Sequence, residues 1–289
     1  DGTAPSRAVK TLSAALALCT AGNNDVVVII GDGASDATIR MSATLDWNKN
    51  ATHLVGITAP TWEAQRARIA PPTTQTTNIN PLLTVSASGC YFANFSFFQG
   101  VGQASTDEQL INITGMRNYF ERIHFGGMGH ANGAARAGSY IMKFTNGDEN
   151  TFESCAIGLE TIQRSAANGS IVIASGSQRN RFINCEFPMA ASATSPLWLD
   201  ASAAGALNGS TMIFRSCLFR NLLNISSAQT PAVVCTVNGS VNGTIIFDKC
   251  SMMATKWVAA TAQVQVINAY LETSSAGYQG GKSVAGADS

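Results

Sequence analysis

Charge is what this 289-residue chain has least of. Asp, Glu, Lys and Arg make up 12% of it, about half of the roughly 25% usual in soluble domains. The 18 acids and 18 bases cancel, leaving no basic patch for nucleic acid and no acidic arm. Long apolar runs are missing too. Val26–Ile30 is unbroken but falls far short of the ~20 residues that span a bilayer, so no membrane partner is expected. The chain opens at Asp1 with neither Met nor a signal-peptide pattern, which reads as a fragment or a processed product. Its apolar fraction of 45% is ample for a core. A surface so poor in charge is expected to be rich in Ser, Thr and Asn and to be partly covered by partners.

Zinc spacing is also absent from the seven cysteines, Cys19, Cys90, Cys155, Cys185, Cys217, Cys235 and Cys250. Four of them fill one slot of a repeat described below. They read as reduced thiols stacked in a core, with disulfides between neighbouring coils as the alternative. Eight Asn-x-Ser/Thr sequons occur, four of them Asn-Gly pairs. Asn-Gly is a turn former, so these read as turns and favour a bacterial or viral cytoplasm as the place of synthesis. Asn94 and Asn112 are expected inside strands.

What is present is a phrase that returns six times. It is led by Phe92, Phe120, Phe152, Phe182, Phe214 and Phe247, at intervals of 28, 32, 30, 32 and 33 residues. In the last four copies the fourth position is Cys155, Cys185, Cys217 or Cys250. Such a period marks a solenoid, whose repeats bury their apolar faces by stacking. Positions one, four and six should point inward. Positions two, three and five, among them Glu121, Arg122, His124, Glu153, Glu186, Arg215, Asp248 and Lys249, should face out.

Each period holds three short strand-like pieces, such as 170–174, 180–182 and 184–187. Equivalents of the first piece are expected at 82–85, 109–113, 140–144, 196–199, 232–237 and 263–267. Pairing with the same piece one period on builds three parallel sheets around a long core, an all-β parallel β-helix. Val9, Leu12, Leu16 and Cys19 share a face of a predicted helix of about three turns with Ser6 as N-cap, placed to cover the first coil. The expected organisation is a capping segment 1–22, a β-helix 23–273 and a flexible arm 274–289, the last rich in Gly, Ser and Ala.

Chemistry-bearing constellations are sparse. Glu121 and Glu153 are neighbouring acids in the outward column, about one 4.8 Å layer apart, and could suit a retaining pair of carboxylates. The competing reading has Arg122 and Arg215 neutralising them as solvated ladder charges. Asp107-Glu108 and Asp148-Glu149 read as turn and cap residues. The loop Gly126–Gly133 with His124 and His130 lacks the strand–loop–helix context of a phosphate cradle. Two histidines without a third ligand make a poor metal site, so no metal or cofactor is expected, and the loop reads as surface or inter-subunit contact. Trp47, Trp198 and Trp257 read as buried or at a subunit contact. The stretch 60–72, with Trp62, Arg66 and Arg68, interrupts the repeat and is expected to touch a neighbouring chain or the surface on which the protein sits. The interface candidates are therefore Trp62, Arg66, Arg68, His130 and Trp257.

The opening Asp1-Gly2-Thr3, then Val9-Lys10-Thr11-Leu12, Asn24-Asp25-Val26-Val27 and Gly31-Asp32-Gly33, resembles the start of pectate-lyase-like right-handed parallel β-helix proteins. The phrases Asn150 to Ile157 and Asn180 to Phe187 look like that superfamily's rungs. The resemblance implies a right-handed coil capped by the first helix, and covers about residues 1–270. Its members include lyases, hydrolases, adhesins and plain structural proteins. The charge-poor, Ala/Ser/Thr/Gly-rich texture looks most like virion proteins of tailed bacteriophages. That implies a homotrimeric decoration (cement) protein on a capsid or tail surface, partnered by the major capsid protein or another virion protein. The alternative is a tailspike-type polysaccharide depolymerase or adhesin partnered by a host surface glycan.

Overall fold

The computed structural model describes residues 2–31, 39–222, 231–238, 242–258, 263–271 and 282–284. Apart from Lys282–Val284, which runs antiparallel to Ala269–Leu271, every strand pairing in it is parallel. Three sheets of nine, eleven and eight strands run side by side. The chain visits them in rotation, so each strand's neighbour is its counterpart one coil later. The fold is an all-β parallel solenoid.

The first sheet carries the leading-Phe strands, in the order Val26–Ile30, His53–Ile57, Tyr91–Ala93, Tyr119–Glu121, Thr151–Glu153, Arg181–Ile183, Ser210–Arg215, Gly243–Asp248 and Val264–Ile267. Register aligns Val27, Leu54, Phe92, Phe120, Phe152, Phe182, Phe214, Phe247 and Val266 in one inward column. The six rings stack at centroid spacings of 4.8, 4.5, 4.7, 4.7 and 5.1 Å. All six are at most 1% exposed, so each contributes its full apolar burial.

A single residue turns the chain from the first sheet to the second. It is position three of the phrase: Asn94, Arg122, Ser154, Asn184, Ser216 or Lys249, each with φ between 50° and 58°. That left-handed conformation costs a non-glycine residue roughly 1–2 kcal/mol. Its amide is satisfied by the next coil: Asn94 N–H donates to Glu121 O, Arg122 to Glu153 O and Ser154 to Ile183 O. Asn94 is thus a corner residue just beyond its strand, whereas Asn112 lies inside Gln109–Ile113.

The corner from the third sheet back to the first is an asparagine column. Buried Asn118, Asn150 and Asn180 each donate from Nδ2 to a carbonyl of the preceding coil, Ala87, Gly115 and Gly147 respectively. Their Oδ1 atoms accept from the backbone N–H of Cys90, Asn118 and Asn150. Inside the turn that follows each Phe strand, Cys155, Cys185, Cys217 and Cys250 donate from Sγ to the carbonyls of Phe120, Phe152, Phe182 and Phe214, at 3.4–3.5 Å. All seven cysteines are free and buried.

Two expectations are corrected, the helix with its cap and the sheet of 263–267, while the arm expected at 274–289 lies outside the described residues except for Lys282–Val284. The helix is Leu12–Leu18, one side of which buries Leu12 and Leu16, and its N-cap is Thr11, whose Oγ1 accepts from Ala14 N–H. Ser6 lies in a 3-10 turn, Pro5–Arg7. Residues 263–267 belong to the first sheet, where Val266 pairs with Phe247, because the last coil is short. The third sheet ends instead on Lys256–Val258. Within 274–289 the structure describes only Lys282–Val284, which pairs with Ala269–Leu271 and lies on the last parallel edge.

Candidate functional site

Glu121 and Glu153 do stand side by side on the outer face of the first sheet, in register on adjacent strands. Each is occupied by a tyrosine one coil earlier. Tyr91 Oη donates to Glu121 Oε2 at 2.6 Å, and Tyr119 Oη donates to Glu153 Oε2. Burial and the Glu121 hydrogen bond push the Tyr91 phenol up to about 12. Arg122 Nε lies 3.6 Å from Glu121, and further along the column Arg215 pairs with Asp248 at 3.0 Å. Both carboxylates therefore act as acceptors in a tyrosine–glutamate lattice spanning Tyr91 to Glu153.

The interruption near residue 60 lies against the two coils that follow it. Asn94 Nδ2 donates to Thr58 O, Ala64 N–H donates to His124 Nδ1 at 3.1 Å, and Gln65 Nε2 donates to Arg122 O at 2.9 Å. This strap roofs the second sheet, which is why His124, expected to face water, is 5% exposed. Since Nδ1 accepts, Nε2–H donates to Gly158 O. Burial holds the His124 pKa below its ordinary value. Arg66 and Arg68 follow on the strap and the strand Arg68–Ala70. The guanidinium of Arg68 lies over the Phe98 ring. Trp62 stays 44% exposed.

At the strap's far side lies a cluster that sequence spacing did not disclose. Arg220 reaches Glu186 at 2.5 Å, Glu160 at 3.1 Å and Glu63 at 3.6 Å. These residues are 157 positions apart at the extremes, and only the strap's path brings Glu63 to the others. Burial, then Glu160 and Glu186, raise the Glu63 carboxyl against the pull of Arg220. Three carboxylates around one guanidinium, one of them biased toward its protonated form, can donate and accept a proton at one place.

The glycine loop Gly126–Gly133 closes over a buried acid. Glu108 is fully buried; its Oε1 accepts from Gly129 N–H at 2.8 Å, with Met128 and His130 amides close by. Its Oε2 has no hydrogen-bond partner among the described residues and seats against Gly133, where a Cβ would come within 2.5 Å. Burial raises the Glu108 pKa from 4.5 to about 8. The loop's N–H groups thus serve an internal carboxyl. His130 caps the short helix Ala131–Ala134 by accepting from Asn132 N–H. It does not meet His124. Trp257, placed above among interface candidates, is in the core, 4.7 Å from the Phe247 ring centre. Trp47 and Trp198 are buried as well. Another buried ion, Arg164, bonds to Asn168, Ser170 and Leu197, and none of these acceptors is a carboxylate. Among the described residues no group of three or more His, Cys, Asp or Glu is placed to hold a metal ion.

The remaining feature is at the N-terminal end. Val26, Val28 and Ile30 on the first strand, Ile57 on the second and Leu18 on the helix are all 48–58% exposed. A groove of about 530 Å³ runs between the helix and the strand Val26–Ile30.

No family model and no curated protein matches this chain. Solved structures do. Pectin methylesterase PemA from Erwinia chrysanthemi superposes with a TM-score of 0.60 at 13% identity, covering 95% of this chain and 89% of its own. A pectin methylesterase in complex with hexasaccharide VII gives 0.59 at 13% identity, covering 96% and 90%. Pectate lyase Pel9A gives 0.57 at 14%, covering 91% of this chain and 64% of its own. Identities this low speak for the fold alone.

Proposed function

Taking the coil as a pectate-lyase-like right-handed β-helix, we propose that the chain is a structural virion component of a tailed bacteriophage. In this reading it is a homotrimer that decorates and stabilises a capsid or tail surface by binding the major capsid protein or another virion protein. The observation that carries this is the exposed apolar end, Leu18, Val26, Val28, Ile30 and Ile57, on a chain with only 12% charged residues. Apolar surface of that kind is a docking surface when contiguous, and binding to the assembled shell alone would stabilise that shell by mass action. The acids of the first sheet's outer face support the same reading, since Tyr91 and Tyr119 already occupy Glu121 and Glu153. Light scattering on the purified protein should return three times the 30.2 kDa chain mass, and the protein should co-sediment with shells lacking it. A monomer that ignores such shells would overturn the reading.

A second reading has one observation in its favour: the Glu63, Glu160 and Glu186 carboxylates on Arg220, beside exposed Trp62. An aromatic face next to an acid with a raised pKa suits a polysaccharide depolymerase or a glycan-binding adhesin. Incubation with host capsule or lipopolysaccharide decides it. Chain shortening that disappears with Glu63→Gln but survives Glu121→Gln would replace the structural reading with this one.

A further inference from the structure

We infer that the groove between the helix Leu12–Leu18 and the strand Val26–Ile30 takes an extended strand donated by a partner polypeptide, added to the open edge of the first sheet. The inference deepens the docking reading and rests on it. Among the described residues Val26–Ile30 ends its sheet, pairing on one side only, with His53–Ile57. The bond from His53 N–H to Asp25 O fixes the alternation. Asp25, Val27 and Ile29 spend their backbone groups on that neighbour, and Val26, Val28 and Ile30 turn theirs to the open edge. No hydrogen bond to those outward groups occurs among the described residues.

Solenoids usually blunt such an edge with short strands, Lys, Pro or a cover. The second and third sheets follow that rule, ending on the two- and three-residue strands Ile39–Arg40 and Leu45–Trp47. The first sheet breaks it, with five residues, Val-Val-Val-Ile-Ile, and neither charge nor proline. The helix covers the core below, burying Leu12 and Leu16, yet leaves the edge open. Two properties therefore coincide on the same three residues: unpaired backbone groups and exposed apolar side chains. A helix or a flat apolar surface would satisfy the second and strand the first. Only another strand, apolar at alternate positions, satisfies both.

The test uses the full chain and a short fluorescein-labelled peptide alternating valine and threonine. Anisotropy should rise saturably with the parent protein. Val28→Pro removes an outward N–H at a place where an edge strand tolerates proline, and should weaken binding about tenfold or more with an unchanged melting temperature. Val28→Thr keeps the N–H and should bind nearly as the parent does. No saturable rise with the parent, or equal binding by Val28→Pro, overturns the inference. So does size-exclusion evidence that two copies pair edge to edge and exclude the peptide. Shell attachment lost in Ile57→Lys but intact in Val28→Pro would leave docking standing and overturn strand addition alone.

Discussion

Single residues hold the pH response of this fold. Glu108 has a folded pKa of about 8 against an ordinary 4.5, so the fold favours its protonated form. Its contribution is complete below 4.5 and is lost as pH rises toward 8. Glu108→Gln mimics the protonated acid and should melt a few degrees higher than the parent at pH 8, with no difference at pH 4 by calorimetry. His124 runs the other way. Its pKa is lowered by burial, so its contribution is present above the ordinary 6.5 and fades as pH falls below it. A protonated Nδ1 can no longer accept from Ala64. His124→Gln should therefore flatten the loss of melting temperature between pH 6.5 and 5. Neither role was legible in the chain, where Asp107-Glu108 looks like any turn and His124 sits in an outward slot. Burial from outside the coil, by the glycine loop and by the strap, is a long-range event with no local pattern.

Among elements, the repeat was readable because its period is covalent. The Phe column and the thiol slot recur at fixed offsets, and offset alone sets register when strands stack in parallel. The left-handed corner at position three was hidden, because Arg122, Ser216 and Lys249 carry no turn signature there; the stacked amides of the next coil impose it. The asparagine column shows what one such corner contributes. Asn150→Ala removes the acceptor for Asn118 N–H and the donor to Gly115 O. Each orphaned buried group costs about 1–3 kcal/mol, and urea denaturation should show the loss as a lower midpoint. Phe182→Ala, at the centre of the ring stack, should cost about 3–5 kcal/mol by the same measurement. The strap's contacts within the chain were not legible, since nothing in residues 60–67 encodes the distant Arg220 that Glu63 meets.

For the molecule as a whole, stability should grade along the axis, because, the strap apart, each coil pairs its strands only with its neighbours. Amide exchange should be slowest in the strands from Tyr119–Glu121 to Ser210–Arg215, and fastest at Val26–Ile30 and Val264–Ile267. Uniform protection from end to end would contradict a stack of locally coupled layers. The thiol ladder has a consequence on this scale. Burial pushes the Cys155, Cys217 and Cys235 thiols up, and all seven sulfurs are free and shielded. A molecule so made, once wound, should survive transfer from reducing solution to open air without scrambling. Ellman's reagent should find it silent when intact, then register its sulfhydryls in full the moment urea unravels it.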